Sequence, residues 1–166
     1  MLMVSGIIML FNSCAYKLSF NGASIPPDLK TIDIQYFENT APLVVSNLSQ
    51  QFTEALKNRI RTQTSLSITR GEADGSMTGS ITGYSIVPVS VQAGSGNVAP
   101  IAGLSRLTIT VNVKYVYDAD KKLSFEESFT KSKDFTGDIS SQEQTLIPEI
   151  VRQLTDDIFN RAFANW

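Results

Sequence analysis

Leu107-Thr-Ile-Thr-Val-Asn-Val-Lys-Tyr-Val-Tyr117 is the stretch from which the fold can be read. Leu107, Ile109, Val111, Val113, Tyr115 and Tyr117 recur at every second position, with Thr108, Thr110, Asn112 and Lys114 between them. Successive side chains of a strand point to opposite faces, so this is a strand with one apolar and one polar face. Residues 118–122 turn the chain, and 123–135 read as a further long strand with Leu123, Phe125 and Phe129 on one face. Upstream, 75–92 is rich in Thr, Ser, Ile, Val and Gly, and Ile86, Pro88 and Ser90 alternate with Val87, Val89 and Val91. Pro88 lacks a backbone donor and belongs at an edge or a bulge. Three consecutive strands of this kind form a meander. The linker Ala93-Gly-Ser-Gly-Asn-Val-Ala-Pro-Ile-Ala-Gly103 is too small and glycine-rich to be core.

Helical periodicity flanks the meander. Leu48, Phe52, Ala55, Leu56 and Ile60 recur at steps of three and four opposite Gln51, Glu54, Lys57 and Arg61, which predicts an amphipathic helix over 47–64. Asn47 is placed to cap it, with Gln50 completing a capping box. Near the C-terminus Ile147, Ile150, Val151, Leu154, Ile158 and Ala162 form a second stripe. Ser140 and Glu143 also match a capping box, but a proline breaks a helix interior. A short turn at 140–145 is therefore expected, with the main helix from about Thr145 and Pro148 in its first turn. A period-two run over 30–38, with Ile32, Ile34 and Tyr36 on one face, gives the first core strand. The order is β-α-β-β-β-α. Two amphipathic helices packed on a mostly antiparallel or mixed four-stranded sheet make an α+β two-layer sandwich.

The N-terminus carries a different signal. Leu2-Met-Val-Ser-Gly-Ile-Ile-Met-Leu-Phe11 is uncharged and runs through Asn12 and Ser13 to Cys14, the chain's single cysteine. A bilayer-spanning helix needs roughly 20 apolar residues and a signal core only about 7 to 15. Residues 1–13 thus read as a cleaved signal segment, ending in a relaxed lipobox. Acylation at Cys14 supplies an anchor, because each buried CH₂ adds about 0.8 kcal/mol and two or more chains hold a protein stably on a membrane. The same residues also fit a buried free cysteine behind a misassigned start. The remainder, 14–166, is one domain's length of chain. It opens with Tyr16, Leu18 and Phe20 alternating in a short strand or extended lead that ends at Pro26 and Pro27.

Composition excludes several classes. The formal charge is −2, far from the strongly basic balance of a nucleic-acid binder. The chain has no histidine, the commonest general base and transition-metal ligand, and no second cysteine for an internal disulfide. Asp156-Asp157 and Glu126-Glu127 are adjacent carboxylates, which point in different directions on a helix or strand. No catalytic residue, cofactor or metal site is expected, and the protein reads as a non-enzyme.

Cys14 with Tyr16, the stretch Phe20-Asn-Gly-Ala-Ser-Ile-Pro-Pro27 and Lys30-Thr-Ile-Asp-Ile-Gln-Tyr-Phe37 together resemble the lipopolysaccharide-assembly lipoproteins, LptE, of Bacteroidetes-type bacteria. So do Leu48-Ser-Gln-Gln-Phe-Thr-Glu-Ala-Leu56, Thr82-Gly-Tyr84, Arg106-Leu-Thr-Ile-Thr-Val111 and the ending Asp157-Ile-Phe-Asn-Arg-Ala-Phe-Ala-Asn-Trp166. The resemblance spans nearly the whole mature chain and rests on order and spacing. It implies a small α/β domain tethered to the periplasmic side of the outer membrane. There it would plug and help fold the large LptD-like β-barrel that delivers lipopolysaccharide to the cell surface, and would contact the glycolipid. The resemblance also implies an uninterrupted last helix, from which Pro148 departs. The lack of an acidic run after Cys14 fits retention on the periplasmic side.

Such a ligand asks for cations facing phosphate and apolar surface facing acyl chains. Arg106, Lys114, Lys131 and Lys133 lie on or beside the meander strands, and Lys131 and Lys133 share a face by spacing; each also fits an ordinary solvated charge. Phe159, Phe163 and Trp166 form a second apolar stripe on the last helix, fit either for a partner or for the domain's own core. The 93–103 linker is either a tip that enters the barrel lumen or a plain hairpin loop. A second function fits the same features: a periplasmic lipoprotein chaperone or lipid carrier with no barrel partner. A carrier requires a roomy apolar cavity between helices and sheet, and a plug requires a packed core.

Overall fold

The strand read first is longer than its pattern, running Ile101–Tyr117 as β5 and pairing antiparallel with β4, Gly75–Gln92. This computed structural model describes residues 25–43, 45–92 and 101–164. The signal segment 1–13, Cys14, the lead 15–20, linker residues 93–100 and Trp166 lie outside the described residues. Residues 101–103, expected in a loop, open β5 instead, with Ala102 opposite Val91 and Ile101 opposite Gln92. Small residues still offer a full set of backbone donors and acceptors to a ladder.

β6, Phe125–Phe135, pairs antiparallel with β5 from Tyr115↔Phe125 to Ser105↔Phe135, completing the meander. Ahead of it, β1 (Thr31–Ile34) lies parallel to the start of β4, with Ile32 opposite Gly75 and Ile34 opposite Met77. The sheet has six strands where four were expected, because β2 (Glu38–Asn39) and β3 (Ser67–Thr69) add to it. Its order is β3-β1-β4-β5-β6, with β2 also beside β4. The run 30–38 is not one strand. Phe37 turns fully inward, stacks edge-on against Phe52 at 5.0 Å, and its N–H donates to Thr53 Oγ1 at 3.1 Å. β3 is too short for alternation to reveal it.

α1, Leu48–Gln63, buries Leu48, Phe52, Leu56 and Ile60 along the expected stripe. Its predicted capping box is not formed. Asn47 adopts a left-handed φ of 69° and makes no side-chain cap bond. Asparagine tolerates that region well, and the helix starts instead on the backbone bond from Gln51 N to Asn47 O at 2.8 Å.

α2, Glu143–Phe163, begins two residues before the expected start and carries Pro148 inside it. The helix is continuous, as the resemblance implied. Pro148 is exposed and early, so it forfeits one backbone bond at the water-facing surface. The Ser140–Glu143 capping box is replaced. Asp138 caps a 3-10 turn at Ile139–Ser141, while the Glu143 carboxylate accepts the Tyr84 hydroxyl across the layers at 2.9 Å.

Both helices cover one face of the sheet. Met77 and Ile81 of β4 and Leu107, Ile109, Val111 and Val113 of β5 are all fully buried beneath them. Each such side chain contributes about 1.5–3 kcal/mol. The opposite face carries Thr108, Thr110, Asn112 and Lys114, flanked by Thr78 and Ser80 of β4 and Ser128 and Thr130 of β6. No helix covers it among the described residues.

Candidate functional site

The meander sorts the nominated cations by parity. Even-numbered Arg106 and Lys114 project on the helix-free face, whereas Lys131 and Lys133, paired with Ile109 and Leu107, project on the helix side. The four therefore do not form one cluster, although Lys131 and Lys133 share a face as their spacing predicted. Each also has a carboxylate of its own. Lys131 Nζ meets Asp157 and Lys133 Nζ meets Glu149, both on α2 and both at 2.6 Å. Lys114 lies 3.4 Å from Glu126. Arg106 grips Asp134 through two parallel bonds of 2.6 and 2.9 Å, which hold the Asp134 carboxyl below the usual range. Lys131 and Lys133 thus tie the edge strand β6 to α2, as does the Arg161–Glu127 pair at 2.7 Å.

Phe159 and Phe163 are core residues rather than surface ones, each 2% exposed. Their rings meet at 5.4 Å, and Phe163 stacks edge-on against Tyr115 at 5.8 Å. The stripe they form is displaced from the main one because α2 packs along both β5 and β6. Both adjacent carboxylate pairs point apart, as adjacency predicts. Glu126 turns to Lys114 and Glu127 to Arg161, while Asp156 turns to Arg152 and Asp157 to Lys131. Among the described residues no cluster of metal-ligating side chains occurs. No helix among them is long and apolar enough to cross a membrane.

Three surface features emerge from the fold. The first is the outer half of the β4–β5 hairpin. β1 and β2 follow β4 only to Ile81 and β6 follows β5 only to Ser105, so the remainder is a two-stranded ribbon. Val89 on it and Val87 at its base, opposite Arg106, stand 45% and 48% exposed. The second is an open groove of about 570 Å³ between the outer sides of α1 and α2. Its floor holds Arg59 Nε and Asp156 Oδ1, 3.3 Å apart and off the hydrogen-bond axis, with the Arg59 guanidinium 5.3 Å over the Phe159 ring. The third is a trough beside β3, a pocket of about 270 Å³ where Lys57 and Arg61 of α1 meet Arg70.

The LptE lipopolysaccharide-assembly family model matches residues 29–162. The chain belongs to the LptE family. No curated protein sequence matches it. LptE-like architecture recurs in solved structures of distant sequence. The rare lipoprotein B of Shewanella oneidensis superposes with a TM-score of 0.58 at 14% identity, over 79% of this chain and 92% of that one. An uncharacterised lipoprotein B of Nitrosomonas europaea gives 0.51 at 15% identity, over 82% of each chain. At such identities the likeness is one of fold.

Sequence reasoning assigned Lys57 and Arg61 to the polar side of α1 and gave Arg70 no role. Their four-residue spacing puts the first two on one helix face. Arg70 reaches them only through the parallel pairing of β3 with β1, which places its strand under the end of α1.

Proposed function

We propose that this LptE-family chain is a lipid-anchored, non-enzymatic component of the outer-membrane lipopolysaccharide transport machinery. It acts as plug and folding partner of an LptD-like β-barrel and meets lipopolysaccharide as it passes. The observation that carries the reading is the family match across 29–162, almost the whole domain. Cleavage after residue 13 and acylation of Cys14 tether the domain to the periplasmic side of the outer membrane.

Within this reading the outer half of the hairpin is the part that enters the lumen. It projects past the other elements of the sheet, and Val87 and Val89 stand exposed on it beside Ser85 and Ser90, an open strand surface for a partner. Of the nominated cations, Arg106 lies on this ribbon's base and is the one placed to meet a phosphate there, by exchanging Asp134. Lys114, Lys131 and Lys133 would have to give up their own carboxylates likewise. The carrier reading is weaker on a specific ground: the space between helices and sheet is filled by one continuous core.

Affinity purification of the tagged, full-length lipoprotein after gentle detergent extraction tests the proposal. Recovery of a large β-barrel of the lipopolysaccharide-transport type is expected. Recovery of the lipoprotein with glycolipid but without a barrel would favour the carrier and overturn the plug.

A further inference from the structure

The trough beside β3 differs in its charge balance from every site nominated on the meander. Arg106, Lys114, Lys131 and Lys133 each face a carboxylate, so an anion arriving there must displace one. In the trough, Lys57, Arg61 and Arg70 converge on a pocket of about 270 Å³ whose lining includes a single carboxylate, Glu54. Glu54 contacts Lys57 at 3.6 Å and leaves the two guanidiniums without an ion pair among the described residues. Among the described residues Arg61 donates to the Asn58 side-chain oxygen, at 3.2 Å, and to no carboxylate.

Like charges brought together repel, and the repulsion grows as solvent is excluded. Arg61 in the last turn of α1 also complements the helix dipole, but that accounts for one cation and not for three. The Lys57 side chain is only 19% exposed, so its stem is held against the fold. Two guanidiniums and an ammonium facing one small polar pocket form the donor set that a tetrahedral dianion satisfies, each guanidinium offering a planar fork to two oxygens. An adjoining cavity of about 570 Å³ shares Lys57 and Arg70 and adds the largely buried Asp33 and the exposed ring of Tyr36. A phosphate group in the smaller pocket therefore has room beside it for the moiety that carries it.

We infer that the trough between α1 and the end of β3, with Lys57, Arg61 and Arg70 as donors, is a binding site for a phosphate monoester. The site stands on these three cations, and only the identity of the phosphate's bearer rests on the glycolipid reading above. A phosphorylated lipid headgroup and free phosphate share this chemistry.

The test is a titration of the full chain in nonionic detergent with inorganic phosphate and with short-chain phosphatidic acid, short-chain phosphatidylcholine serving as blank. The readout is the backbone amide shifts of Lys57, Arg61 and Arg70. Saturable shifts at these residues are expected with both phosphates and not with the blank. Tighter binding of phosphatidic acid identifies a lipid headgroup as the natural bearer, and equal binding identifies free phosphate; both support the site. Arg61→Gln with Arg70→Gln should weaken binding about tenfold per guanidinium, and Lys131→Gln should leave it unchanged. Both arginines are exposed, so a retained amide spectrum checks that the variant folds. Absent saturation, or equal weakening by Lys131→Gln, overturns the inference. Neither outcome bears on barrel recovery, so the two proposals fail separately.

Discussion

The β4–β5 hairpin has two halves written in the same alternating code and set in different surroundings. In the inner half, 75–84 with 109–117, β4 is flanked by β1 and β2, β5 by β6, and both helices lie above. Ile81, Ile109, Val111 and Val113 there are fully buried. In the outer half β1 and β2 have stopped and β6 continues only to Ser105, the register slips at Pro88/Ser90 and Ser90/Val91, and Val87 and Val89 face water, while Leu107 beside β6 is still fully buried. Alternation makes a strand; its neighbours decide whether a side chain on it is core. The inner half is therefore fixed for stability, and in the outer half it is the unflanked β4 edge around Val87 and Val89 that is left facing water.

Substitution sharpens this contrast. Ile109→Ala should lower unfolding free energy by about 4 kcal/mol in urea titration, whereas Val89→Ala should change it by less than about 0.5 kcal/mol. Equal losses would erase the distinction between the halves. Glycine in the inner half is a matter of space: a Cβ at Gly79 would stand 2.0 Å from the Asn112 carbonyl oxygen and 2.6 Å from the Phe37 ring. Gly79→Ala should cost about 3 kcal/mol by the same titration. A neutral result would mean that β4 and β5 are less tightly apposed there.

The smallest expected effect lies at the inner end, where Asp74 ties the start of β4 to β1. Its carboxylate accepts the Lys30 N–H, the Thr31 hydroxyl and the Thr31 N–H, which together hold its pKa below the ordinary value of 3.8. A depressed carboxyl stabilises the fold above the unfolded-state value and loses that contribution as pH falls through the folded one. Asp74→Asn should thus be less stable than the parent chain at neutral pH, and the gap should close as pH drops below that of the free carboxyl. A gap independent of pH would assign the tie to the hydroxyl of Thr31 instead.

The legible parts of the fold were those with a local period. Both helices and the three meander strands are long enough for alternation or helical spacing to declare them. β2 and β3 are short, and the break after Ile34 arises because Phe37 finds Phe52, a tertiary event. The caps at Asn47 and Ser140 were legible as patterns only; backbone conformation at Asn47 and the pull of Tyr84 on Glu143 decided otherwise. For the sites, parity along β6 correctly grouped Lys131 with Lys133, yet their carboxylate partners lie on α2, far along the chain. Arg70 joins Lys57 and Arg61 by the same kind of distant pairing. Phe159 and Phe163 looked like a separate stripe because their burial depends on the angle of α2 across two strands.

Entry of the outer hairpin half into a barrel, while the inner half holds the domain together, is tested most directly by in-cell photocrosslinking. A photoreactive residue is placed in turn at Val87, at Val89 and, as a remote control, at Lys121 in the turn before β6. The expected result is a crosslink from Val87 and Val89 to one large outer-membrane β-barrel and none from Lys121. Crosslinks from Lys121 alone, or from no position to any barrel, would contradict this division of the hairpin.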